Sequence, residues 1–148
     1  MTALHIAAPE DAGRLLPMVA AHDAFRGIDR GDDARAEALA PLLEGSPHGV
    51  AYLIGPRRSP VGFLVASFGY SLDLGGIDAS IDAFWIREAV RGRGMGTELL
   101  AGLAPALARH GVKALHFELD EGNERARRLY ERNHFRPRDG HCLMTRLL

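Results

Sequence analysis

Val90-Arg91-Gly92-Arg93-Gly94-Met95-Gly96-Thr97 joins two runs of opposite character. Before it, Ser80 to Ile86 reads as a strand; after it, Thr97 to about His110 reads as a helix. Three glycines at alternate positions let the backbone turn sharply and bring its N–H groups close to a ligand. The helix adds unpaired N–H groups and the positive end of its dipole. Strand, glycine loop and helix start together form an anion cradle suited to phosphate, with Arg91 and Arg93 beside it. A nucleoside-triphosphate loop requires Gly-Lys-Ser/Thr, but Met95-Gly96-Thr97 has no lysine. A dinucleotide fingerprint requires a third glycine where Thr97 stands, and a doubly wound sheet needs more chain after the loop than remains. What is left is Arg-x-x-Gly-x-Gly, met by Arg91, Gly94 and Gly96, with a ligand-free surface loop as the bland alternative.

The 148 residues suffice for one domain with a core. Hydrophobic content of 47% and charged content of 25% are those of a globular protein. A net charge of -1 argues against a basic nucleic-acid-binding surface. Cys142 is the only cysteine, so an internal disulfide is excluded; the thiol is expected in a buried strand. With no leader, long apolar run or lipidation signal, a cytoplasmic protein that avoids membranes is expected. The seven histidines show no metal-ligand spacing, and no metal site is expected.

In chain order, Leu4 to Ala7 reads as a short strand and Pro9-Glu10-Asp11 as a helix start. The helix runs to about His22, with Pro17 predicting a kink. Asp23 to Asp33 reads as a mobile acidic loop, followed by a helix from Asp33 to Glu44. Val50–Ile54, Val61–Tyr70 and Ile77–Ile86 read as three strands joined by turns, an antiparallel meander with bulges expected at Gly62 or Gly69. Alternation puts Asp82, Phe84 and Ile86 on one sheet face and Ile81, Ala83 and Trp85 on the other. Leu99, Leu100, Leu103 and Leu107 form the apolar stripe of the helix after the glycine loop, with a bend expected near Ala101–Gly102 ahead of Pro105. Ala114–Leu119 then reads as a parallel strand reached by a right-handed crossover. Asn123–Arg132 reads as a helix, and Phe135 onward and Cys142–Leu148 as two final strands. The expected fold is α/β, an α+β mixed sheet in a single domain over 1–148, in the order β-α-α-β-β-β-α-β-α-β-β.

This order and two motifs resemble the GNAT N-acetyltransferase superfamily over the whole chain. One motif is Ile81-Asp82-Ala83-Phe84-Trp85-Ile86 with Arg91-Gly92-Arg93-Gly94-Met95-Gly96-Thr97. The other is Asn123-x-x-Ala126-x-x-Leu129-Tyr130-Glu131-Arg132, ending in Phe135. Phe68-Gly69-Tyr70-Ser71 and Leu115-His116-Phe117 further resemble the diamine (spermidine/spermine) branch. The resemblance implies acetyl-coenzyme A as co-substrate. It implies that backbone groups of Phe84, Trp85 and Ile86 pair with pantetheine, and that Gly92 to Thr97, flanked by Arg91, hold the pyrophosphate. Asn123 would contact the pantetheine arm, Ala126 would let the thiol end pass, and Tyr130 would stand beside the sulfur. The family's acidic base position matches Asp82, but the next position, often acidic, is Ala83. The family commonly has glycine where His134 stands, so the left-handed helix cap is expected at Asn133.

The residues support this independently. Asn123, Ala126 and Tyr130 share one helix face. Asn123 also reads as an N-cap, Tyr130 as a core tyrosine and Asp82 as a structural carboxylate. The expected reaction is direct transfer of an acetyl group to a small primary amine, with a di- or polyamine favoured by the acids between Asp23 and Asp33. Asp82, through water, is the expected base and Tyr130 the donor to the thiolate, with the Ile86 N–H polarising the thioester carbonyl. A protein or peptide acetyltransferase and a non-catalytic acyl-coenzyme A sensor are the alternatives, with a dinucleotide-binding module behind them. No residue fixes the assembly state, and a homodimer stays open.

Overall fold

A computed structural model describes residues 2–148. The chain divides into two compact units, one ending at Glu118 and the other running from Leu119 to Leu148. In the first unit, strand β1 (Leu4–Ile6) leads through a 3-10 turn into helices α1 (Ala12–Arg26) and α2 (Asp32–Leu43). Strands β2 (Gly49–Ile54), β3 (Gly62–Ser71) and β4 (Gly76–Ile86) follow, then helix α3 (Met95–Arg109) and strand β5 (Leu115–Phe117). The sheet order is β1-β2-β3-β4-β5, antiparallel until the parallel β4–β5 pair. The expected meander is present, and β5 returns parallel to β4 as expected. No helix among the described residues is long and apolar enough to cross a membrane.

One irregularity organises the sheet. Val65 pairs with Ala83, but its neighbour Ala66 pairs with Ile81, so Asp82 is an extra residue on β4. Such a bulge reverses the alternation of side chains across it. Ala83 and Trp85 therefore join the core of Leu15, Met18, Val19, Leu39, Leu43, Phe63 and Val65 under α1 and α2. Ile81, expected on that same face, is buried outside that cluster, on the side of its register partner Ala66. The bulge thus falls at neither Gly62 nor Gly69. Gly62 instead permits a close strand approach, because a Cβ there would lie 2.3 Å from the Trp85 carbonyl oxygen.

The stretch expected to be a loose acidic loop is built differently. Helix α1 continues through Pro17 to Arg26 and ends on Gly27, whose φ of 69° provides the left-handed cap. Asp23 is thus a helical residue, only 1% exposed. Its carboxylate accepts hydrogen bonds from Arg30 Nε at 2.7 Å and Nη2 at 3.0 Å, and from Arg35 Nε at 2.9 Å. Arg35 is itself buried and also reaches Asp32 at 2.6 Å. The Arg30 hydrogen bond holds the Asp23 carboxyl below its ordinary value of 3.8, against burial and with help from Arg35. Paired charges thereby close the α1–α2 connection. Asp11 is equally buried; burial opposes its ionisation, but the Ala8 N–H and the guanidinium groups of Arg14 and Arg57 outweigh that effect.

The second unit contains helix α4 (Glu124–Arg132) and, among its described residues, no strand. The strands expected from Phe135 and over Cys142–Leu148 are absent, and Cys142 is exposed rather than buried. Pro137 lacks an N–H for a ladder. Leu143 and Met144 are consecutive and both exposed, at 70% and 89%, so no apolar face forms by alternation. The left-handed residue after α4 is His134, at φ 69°, not Asn133. Asn133 instead donates its side-chain amide to Leu129 O at 2.8 Å, capping the helix one residue early.

Replacing Asp23 by Ala strands the buried Arg35 beside Arg30. A loss of about 3 kcal/mol is expected in urea unfolding at pH 7. Because the folded pKa of Asp23 is depressed, its contribution is present above 3.8 and disappears as pH falls through the lower folded value. The gap between parent and D23A should therefore narrow in acid.

Candidate active site

Strand β5 accompanies β4 only from Ala79 to Ile81. From Asp82 to Ile86 no strand among the described residues pairs with the outer edge of β4. Backbone groups alternate sides along a strand. The Arg87 N–H bonds back to Val61 O at 2.8 Å, which directs Trp85 toward β3 as well and leaves the N–H groups of Phe84 and Ile86 on the open edge. Of the three residues expected to line this edge, Trp85 therefore contributes its ring to the core while its neighbours present the backbone.

The chain leaves this edge directly into the glycine loop. A 3-10 turn (Glu88–Val90) is followed by Gly92 and Gly94, each at φ 76°, and Gly94 is the N-cap of α3. The first bond of the helix is Glu98 N to Gly94 O at 3.1 Å, so the N–H groups of Met95, Gly96 and Thr97 have no intrahelical acceptor. A Cβ on Gly94 would meet nothing within 4 Å, so the loop opens to a ligand. Arg91 donates Nε to Ile86 O at 2.7 Å, and its guanidinium lies 5.9 Å from the centroid of the Phe25 ring. Arg93 donates to Ala89 O at 3.4 Å. Both arginines are exposed and fix the loop they belong to. These residues fit a pyrophosphate: clustered N–H donors, a helix N-terminus and two cations.

Asp82 is exposed at its bulge. Its negative charge favours the protonated forms of His22 and Arg30, and His22 was not among the expected residues. The His22 ring stands edge-on to Phe63, centroids 5.7 Å apart, and its Nδ1 is 3.7 Å from the Asp23 carboxylate. Burial pushes the imidazole below its ordinary value of 6.5, partly opposed by the charges of Asp23 and Asp82. A sequence signal existed: Leu15, Val19 and His22 stand at i, i+4 and i+7, the buried stripe of α1.

In the second unit, Asn123 does cap α4: its Oδ1 accepts from the Ala126 N–H at 3.2 Å. Ala126 is half-buried and Tyr130 buried, so the expected face runs from exposed cap to buried phenol. Tyr130 also packs edge-on to Phe135, centroids 5.1 Å apart. Burial pushes its phenol well above the ordinary value of 10.0, which keeps it protonated at neutral pH.

The sequence profile described as the acetyltransferase (GNAT) family matches residues 18–135, and the chain belongs to that family. It is an acetyltransferase of the GNAT kind, a family that uses acetyl-coenzyme A. Among solved structures it is similar to the integron cassette protein HFX_CASS3 from the mobile metagenome of Cole Harbour Salt Marsh. The two share 26% identity over 98% of this chain and 90% of that one, with a TM-score of 0.84. The ribosomal-protein-alanine N-acetyltransferase of Brucella melitensis biovar Abortus 2308 shares the fold at 21% identity, covering 99% of each chain, TM-score 0.78. So does an aminoglycoside acetyltransferase from an uncultured soil metagenomic sample, at 14% identity over 99% and 96% of the two chains, TM-score 0.81. No curated protein sequence matches the chain.

Gly94→Val should abolish coenzyme A binding. The branched side chain would fill the open cradle and oppose the left-handed backbone. Calorimetry with coenzyme A checks this, with circular dichroism confirming the fold; undiminished affinity in a folded G94V protein would remove the phosphate-loop assignment.

Proposed function

We propose that the protein acetylates a small primary amine by direct transfer from acetyl-coenzyme A, the Phe84–Ile86 edge and the Gly92–Thr97 loop holding the co-substrate. The observation that carries this reading is the open edge of β4 running straight into an unobstructed glycine cradle at a helix N-terminus. The bound co-substrate would supply an acetyl group activated as a thioester. The outward N–H groups of Phe84 and Ile86 would align it as an added strand does, and the Ile86 N–H would be placed to polarise the thioester carbonyl. The Ile86 carbonyl is already held by Arg91, so its N–H is the freer partner. A primary ammonium, pKa near ~10.4, must lose a proton before its nitrogen can attack. Asp82 beside that edge would assist through water, and the protonated phenol of Tyr130 would donate to the departing thiolate.

The finer reading, a di- or polyamine, rests on negative charge at the acceptor side. Two of the four acids in the Asp23–Asp33 stretch are committed to arginines, Asp23 to Arg30 and Arg35, and Asp32 to Arg35. Asp29 and Asp33, both exposed, and Asp82 remain to attract a cation. Family neighbours named for aminoglycoside and ribosomal-protein substrates keep a larger amine and a peptide as the competing acceptors.

Thiol release should be measured with 1,4-diaminobutane, n-butylamine, an aminoglycoside and a peptide with an N-terminal alanine. The proposal predicts the highest kcat/KM for the diamine, reduced by salt; a preference for the peptide would replace it with a protein-directed activity, and thiol release with none would favour an acyl-coenzyme A sensor. Tyr130→Phe should lower kcat by roughly 10²-fold with coenzyme A affinity retained. An unchanged kcat, with chemistry rate-limiting, would leave Tyr130 as a core residue.

A further inference from the structure

Asp82 is exposed at the bulge, whereas His22 is partly buried, its ring against Phe63 of the sheet. Phe63, on which the imidazole stands, pairs in register with Trp85, and Val65 beside it pairs with Ala83. His22 therefore lies on the α1/α2 face at the level of the residues whose outer edge is open. Its side chain is 12% exposed, which leaves a route for a proton but little water around the ring. Asp23 Oδ1, 3.7 Å from Nδ1, is beyond a hydrogen bond, but its charge favours the protonated ring.

We propose that His22, rather than Asp82, takes the proton from the incoming ammonium, directly or through one water, while Asp82 and Asp23 stabilise the imidazolium that results. This inference rests on the amine-acetyltransferase reading above. The ammonium N–H bond breaks with its electron pair left on nitrogen, and the proton bonds to the unprotonated ring nitrogen of His22. The freed pair forms the C–N bond to the acetyl carbon as the C–S bond breaks; the acylated nitrogen then releases its second proton to solvent, and the sulfur, leaving with its electrons as a thiolate, takes up one proton. His22 returns its proton to solvent. The charged groups acting on His22 are Asp23 and Arg26 on its own helix and Asp82 on β4; β3 presents the apolar ring of Phe63. An imidazole in water is a stronger base than an aspartate carboxylate by about 2.6 pKa units, which matches it better to an amine at neutral pH. Burial keeps the His22 ring neutral and so ready to accept.

The test is the pH dependence of kcat/KM, with the best amine of the panel, for the parent, His22→Gln and Asp82→Asn. The parent should show an acidic limb. H22Q should lose that limb and fall roughly 10²-fold at pH 7, recovering toward pH 10 where the amine deprotonates unaided, with coenzyme A affinity unchanged. Asp82 raises the pKa of His22, so D82N should keep the limb but move its inflection to lower pH. An unaltered limb in H22Q, or its disappearance in D82N, would overturn the role of His22. Should H22Q fail to fold, His22→Asn is measured in its place: loss of the acidic limb supports the proposal, and an unaltered limb overturns it. A parent that acetylates no amine overturns the amine reading, and this proposal with it; a parent that does, with H22Q like the parent, overturns this proposal alone.

Discussion

The extra residue at Asp82 is the constraint on which the site depends. A regular β4 would keep Ile81, Ala83 and Trp85 on one face. With the bulge, Ala83 and Trp85 pack under α1 and α2 while Ile81 lies with its register partner Ala66. Pairing with β5 ends at Ile81, beside the bulge. The bulge thus settles which side chains cover one face of the sheet and turns Asp82 out into solvent, and the strand edge from Asp82 to Ile86, beyond the end of β5, is open. Bulges commonly re-aim side chains and terminate pairing in this way.

The freed edge becomes a site because of what surrounds it. Arg91 ties the glycine loop back to Ile86 and lies over Phe25 at the end of α1. Asp23, earlier on that helix, is neutralised by Arg30 and Arg35 and so pins the short connection into α2. Removing either partner of such a buried pair costs more than the pair contributes, because a charge remains without its counterion. The positions of His22, Phe25 and the loop are thus set by a few charge contacts as well as by the apolar core. Those acids serve the fold first, and only Asp29, Asp33 and Asp82 are left to meet a cationic substrate.

The glycine loop and its flanking strand and helix were legible because each carries a local cause: left-handed glycines, an apolar run and an i, i+3, i+4 stripe. The meander was legible from its turn residues. Asp82 was found as a candidate, but its bulge was not, because an extra residue is defined by the partner strand. The Asp23 network was hidden for a similar reason: the sequence shows charges but not which arginine reaches which acid. His22 stood on the buried stripe of α1, yet its contact with Phe63 depends on how helix and sheet pack. The final strands were overread. Leu143, Met144, Leu147 and Leu148 are apolar, but a short apolar run makes a strand only when a partner edge takes it.

The central claim is that the open edge from Phe84 to Ile86 and the loop from Gly92 to Thr97 hold acetyl-coenzyme A together. Backbone amide hydrogen exchange, with and without the co-substrate, tests it directly. The expected result is protection of the Phe84 and Ile86 N–H groups and of the N–H groups from Gly92 to Thr97, with Trp85, already turned toward β3, unchanged. Binding that protects neither segment would contradict the assignment.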